Sequence, residues 1–116
     1  MTIKRFPGKY KGRCRAVVNG SFVYAVATDT TSAKSISEQT RLTLDTLEKN
    51  LLEAGSDKSR LLQATVYLRD MSMKAEMDAV WCAWVGGEEN WPQRACLGAD
   101  LAGDDLIEIV VTAALL

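Results

Sequence analysis

The 116-residue chain contains no histidine. That absence removes the serine–histidine and cysteine–histidine nucleophilic devices and the usual histidine metal ligands. Carboxylate, thiol, guanidinium, amine and phenol groups are left for any chemistry. Cysteine is scarce as well. Cys14, Cys82 and Cys96 cannot all pair within one chain and form no CxxC or zinc spacing, so reduced thiols and no bound metal are expected. No stretch stays apolar over the roughly 20 residues a bilayer-spanning helix needs, and no basic segment followed by an apolar run marks a secretion signal. A cytoplasmic location with no membrane partner is the expectation. Neither sign of charge is in excess, 14 Lys plus Arg facing 15 Asp plus Glu, so no global field recruits nucleic acid. The local exception is Lys4, Arg5, Lys9, Lys11, Arg13 and Arg15, interleaved with Phe6 and Tyr10. A solvated basic edge is the plain reading of that run, and an anionic ligand or a phosphate the sharper one.

With no break in composition, residues 1–116 form a single domain, too short for a catalytic unit plus a separate binding unit. Residues 15–18 and 22–26 lean to strand and flank Asn19-Gly20, a dipeptide suited to a tight hairpin turn. Ser35 and Glu38 have capping-box spacing. Thr40, Leu44, Leu47, Leu51 and Ala54 then recur at three and four before Gly55, which predicts an amphipathic helix of about five turns at roughly 3.6 residues each. Residues 61–69 alternate as a strand with Leu62, Ala64, Val66 and Leu68 on its apolar side. Met73, Met77, Val80, Trp81, Trp84 and Val85 mark a second helix stopped by Gly86-Gly87, with Cys82 packing inside it. Two strands follow, at residues 94–99 and 106–113.

The fold class is α+β, with short connections placing both helices on one face of a mixed sheet. If Ile107, Ile109 and Val111 point to the helices, then Leu106, Glu108, Val110 and Thr112 occupy an uncovered face, which self-association would cover. Glu108 is the outstanding residue, because a carboxylate among Leu106, Ile107, Ile109, Val110 and Val111 is costly to desolvate without a partner or a ligand. Arg94 opens the preceding strand and is expected to face a cleft instead of the helix-packed core. Cys14 sits among cations, making it the more reactive thiol if exposed.

Hairpin, helix, QTRLTLDTLEKNLLEAGSDKSRLLQATVYLRDM, a helix ending WCAWV, and WPQRACLGADL before LIEIVVTAA together resemble the Rid (reactive intermediate deaminase), or endoribonuclease L-PSP-like, family. The resemblance implies a chorismate-mutase-like fold, a homotrimer with ligand clefts between subunits, and no metal or organic cofactor. It implies hydrolysis of 2-enamino or 2-imino acids to 2-keto acids and ammonium. Arg94 would hold the substrate carboxylate, Glu108 would activate water, and Cys96 would line the pocket. Non-catalytic binding of a small carboxylate is the alternative function. Ribonuclease or translation-inhibitor activity ranks below both, since the chain shows one site carboxylate and no histidine. Two positions depart from the archetype. Val26-Ala27 replaces a Ser-Gly pair, adding a methyl where backbone should approach ligand. Arg13 and Arg15 replace an aromatic hydroxyl, so a more basic pocket, suited to a larger or doubly carboxylated acid, is expected.

Overall fold

A computed structural model describes residues 2–29 and 31–116. Its strands are β1 (Lys4–Pro7), β2 (Cys14–Asn19), β3 (Phe22–Thr28), β4 (Leu61–Leu68), β5 (Gln93–Gly98) and β6 (Ile107–Ala114), with helices α1 (Ile36–Ala54) and α2 (Lys74–Val85). They form one six-stranded sheet in the order β1-β2-β3-β6-β4-β5. Only β4 and β5 run parallel; every other neighbouring pair is antiparallel.

Local chemistry accounts for the helices. Ser35 is extended, and its hydroxyl accepts the Glu38 N–H at 3.1 Å, satisfying one free amide of the first turn. The reciprocal half of the capping box does not form, because the Glu38 carboxylate pairs with Arg41 one turn on. Gly55 ends α1 at φ 94, a left-handed conformation that lets its N–H reach back to the carbonyls of Leu51 and Leu52. In α2, Met77, Trp81 and Val85 are buried, with Val80 and Trp84 packed at the margin. Cys82 is exposed, contrary to the packing expected of it, since it lies outside this stripe.

Both helices cover the same sheet face. Leu44, Leu47 and Leu51 of α1 and Met77 and Trp81 of α2 share one core with Val23, Val66, Ile107, Ile109 and Val111. The opposite face carries Phe22, Tyr24 and Val110, exposed by 45%, 45% and 40%. Two irregularities alter the alternation read from sequence. In β4 the register moves from Leu61↔Ala113 to Gln63↔Thr112, so Leu62 is the extra residue, and it lies exposed while Leu61 is buried. At the other edge, β1 is a strand that the basic character of residues 4–7 concealed. Its pairing moves from Phe6↔Ala16 to Pro7↔Cys14, leaving Arg15 bulged.

Leu47 has no exposed surface beneath α1. Leu47→Ala should therefore destabilise the fold by about 2–5 kcal/mol through lost transfer energy and the cavity left behind. Urea denaturation measures this, and a change below about 0.5 kcal/mol, the range of ordinary surface substitutions, would show that the helix is not anchored there.

Candidate active site

Glu108 lies on β6 with Thr28 and Tyr67 as its cross-strand partners, on the face away from the helices. It lines a cavity of about 620 Å³ together with Val26, Thr28, Asp29, Arg13, Cys14 and residues 102–105. The Arg15 bulge brings the β1–β2 turn to this cavity. Arg13 and Cys14 border it, whereas Arg15 turns away and pairs with Glu53 at 2.6 Å, also donating to Asn50 Oδ1 at 3.4 Å. Val26 enters the cavity wall. Ala27 borders the cavity too, although its side chain, like that of its partner Ile109, is buried on the helix side.

Within one copy, the cavity wall beside Glu108 is acidic, and the basic character expected of the pocket is confined to its Arg13 side. Among the described residues, Asp29, Asp104, Asp105 and Glu108 line the cavity, with Arg13 as its one cationic residue. Burial favours the neutral form of Asp29, but donors from Thr31 N–H, Thr31 hydroxyl and Ala33 N–H outweigh it and lower the pKa. Asp105 moves the other way, raised by burial and then by the negative charge of Asp29. A proton is therefore held more readily at Asp105, in the same cavity as Glu108.

Two side chains fix the loop that carries Asp104 and Asp105. The Arg69 guanidinium donates to the carbonyls of Leu101, Gly103 and Asp105 at 2.6, 2.9 and 2.8 Å. Buried Gln39 donates to the carbonyls of Ala33 and Asp104 and accepts the Leu106 N–H at 2.8 Å. One helix residue thus ties together the loops on either side of the cavity. Neither clamp was legible in sequence, since a lone polar residue in a helix pattern, like an arginine at a strand end, reads as a solvent-facing position.

Arg94 and Cys96 are placed elsewhere. In the parallel register they pair with Ala64 and Val66, both buried on the helix side, so Arg94, expected at a cleft instead of the helix-packed core, lies with Cys96 on the side of α2. Arg94 Nη2 donates to Asp78 Oδ1 at 2.7 Å, Nη1 lies 3.8 Å from Met77 Sδ, and the guanidinium stands 5.3 Å from the Trp81 ring centre. The Arg94 side chain is 19% exposed. Lys74 holds the second oxygen of Asp78 at 2.7 Å. Burial raises the Cys96 thiol pKa, with Arg94 and Lys74 only partly opposing it, so the protonated thiol is favoured. Asp78 itself is pushed up by burial but brought below its ordinary value by the hydrogen bonds from Lys74 and Arg94.

The chemistry thus falls into two groups on opposite faces of one sheet. Glu108 and Arg13 share a cavity on the open face; Arg94 and Cys96 share the α2 side. A family model described as endoribonuclease L-PSP matches residues 9–115. The chain belongs to this family. A RutC family protein from Haemophilus ducreyi is 40% identical over 101 residues, 86% of each chain. The RutC family protein YoaB of Escherichia coli K12 is 33% identical over 85 residues, covering 73% of this chain and 74% of its own. Among solved structures, a YjgF-family protein from Neisseria meningitidis superposes with a TM-score of 0.93 at 35% identity, covering 100% of this chain and 97% of that one.

Among the described residues, no cluster of three or more cysteine, aspartate or glutamate side chains has metal-holding geometry, and no helix is long and apolar enough to cross a membrane. Two predictions follow from the clamps and the ion pair. Gln39→Leu leaves two carbonyls and one N–H without their partner and should cost about 2–5 kcal/mol, with faster amide exchange at Leu106. Unchanged exchange there would show that the glutamine does not hold the loop. Asp78 has a folded pKa below 3.8, so its stabilisation is complete above pH 3.8 and is lost as pH falls through the folded value. Asp78→Asn should accordingly cost about 1–2 kcal/mol near neutrality, with the gap to wild type closing in acid. A pH-independent gap in denaturation midpoints would contradict the pairing.

Proposed function

We propose that this protein hydrolyses reactive 2-imino and 2-enamino acids to 2-keto acids and ammonium, at sites completed between copies of the chain. The placement of Glu108 carries the reading. A carboxylate stands in the wall of a cavity, on a sheet face that neither helix covers, within a family whose resemblance implies this chemistry. An imine carbon held near Glu108 is open to water. On the protonated imine, the carboxylate accepts a proton from water as the C–O bond forms and the C=N π pair passes to nitrogen; the carboxyl then returns that proton to the amino group of the carbinolamine, and ammonia leaves as the hydroxyl oxygen forms the C=O bond and gives up its proton, yielding ammonium. One water enters and one ammonia departs with no change of oxidation state, so the reaction requires no redox cofactor.

Arg94 suits the substrate carboxylate, since a guanidinium offers two parallel donors. Within one copy it lies across the sheet from Glu108, and a ligand touching both needs Arg94 from one subunit and Glu108 from another. The exposed Phe22, Tyr24 and Val110 favour such an association, and the homotrimer is the assembly that the resemblance implies. The four carboxylates of the cavity disfavour a phosphodiester there, which keeps RNA cleavage below imine hydrolysis. Val26, projecting where the archetype has a smaller hydroxyl, favours non-catalytic carboxylate binding as the second reading.

Generating 2-aminoacrylate in solution and following coupled release of pyruvate and ammonium tests the proposal. Glu108→Gln should remain trimeric by light scattering and lose about 10²- to 10⁴-fold in turnover. Equal rates for variant and wild type would remove Glu108 from the chemistry. A wild type that binds pyruvate but hydrolyses no imine would leave the binding reading, and a monomer at micromolar concentration would remove the shared site.

A further inference from the structure

We infer that the ligand of this site carries a second anionic group, a carboxylate or a phosphate, which binds in a cationic groove at the β1–β2 turn. The inference rests on the site proposed above and narrows its substrate class. A groove of about 750 Å³ lies against the turn, lined by Arg5, Lys9, Lys11 and Arg13, with no carboxylate in its wall among the described residues. Among the described residues none of these four cations makes an ion pair, whereas their neighbour Arg15 is paired with Glu53. Holding several like charges together without counter-charge is unfavourable, and an anion relieves it.

The turn is built to keep them there. Gly8 N–H donates to the Arg13 carbonyl at 3.0 Å, and Gly12 takes a φ of 89 that other residues rarely adopt. Lys9 and Arg13 stand 5.7 and 5.1 Å from the Tyr10 ring centre, so the ring, 61% exposed, braces two cations. Every acidic residue of the chain lies from Asp29 onward, so no nearby sequence neighbour neutralises the turn.

Groove and cavity share Tyr10, Arg13 and Cys14 as a common wall. A ligand with its imine carbon at Glu108 therefore extends past Arg13 into the groove. The cavity's carboxylates accept the nitrogen end, and the groove accepts the distal anion. A neutral tail such as a methyl gains nothing from four cations. A nucleic-acid strand fits poorly, because its continuous phosphates would run from the groove into the acidic cavity.

Calorimetry with 2-oxoglutarate against pyruvate, and with 3-phosphohydroxypyruvate against hydroxypyruvate, tests the groove without requiring turnover. At least one dianion should bind about tenfold more tightly than its partner, the scale of one charge-assisted contact, and the winning pair tells carboxylate from phosphate. The ratio should fall toward one in Lys9→Ala/Lys11→Ala and recover in Lys9→Arg/Lys11→Arg. Equal or undetectable binding of all four acids, or a preference that survives the alanine changes, overturns the inference. Hydrolysis of 2-aminoacrylate without any dianion preference leaves the hydrolase reading standing alone. Dianion-selective binding without hydrolysis of any imino acid leaves the groove standing and the hydrolase reading fallen.

Discussion

Strand β6 is hydrogen-bonded on both sides, to β3 and to β4, and its two faces meet opposite demands. Ile107, Ile109, Val111 and Ala113 are buried on the helix side, and Glu108, Val110 and Thr112 alternate with them on the open side. Because side chains repeat every two residues along a strand, a slip of one position would drive Glu108 beneath the helices and lift the isoleucines out. An unpaired carboxylate in that core would be strongly disfavoured, so the register that builds the core also sets the position of Glu108 in the cavity.

The same alternation decides which features can be read from the chain. The contrast in IEIVVT is strong and local, as are Ser35 before a helical stripe, Gly55 after it, and Asn19-Gly20 between two strand-like runs; each signal is complete within a few residues. Arg94 shows the opposite case. Its strand reads QRACLG, without the apolar contrast that would reveal which parity faces inward, and its direction is set by pairing with Ala64 and Val66 some 30 residues earlier. Arg13 and Arg15 differ only by a bulge, which sends one to the cavity and the other to Glu53. A register shift is a property of two strands together. No periodicity in either one contains it.

Charge is organised by the same topology. The loop after β3 and the loop before β6 meet above Glu108 because those strands are antiparallel neighbours, and their aspartates make the cavity acidic. The β1–β2 turn reaches the same end of the sheet with only cations. A chain whose formal charge is −1 thereby presents two adjoining regions of opposite sign. Net charge conceals that division, which local fields do not average away over distances shorter than a Debye length of about 8–10 Å.

Arg94 joins structure to chemistry in a further way. Asp78 engages only Nη2, through one oxygen, while its other oxygen is held by Lys74; Nη1 faces a thioether, a weak acceptor. The guanidinium is thus oriented by Asp78 and Trp81 while much of its donor capacity remains uncommitted. In the proposed site, Arg94 packs against its own helix and offers its free donors to a carboxylate arriving at the sheet edge. The ion pair reduces the conformational freedom that binding would otherwise remove, which is how a supporting contact strengthens a binding one. The inward orientation of Arg94 is compatible with the ligand role proposed for it. It positions the fork on β5, the edge strand, whose outer flank no strand of the same copy covers.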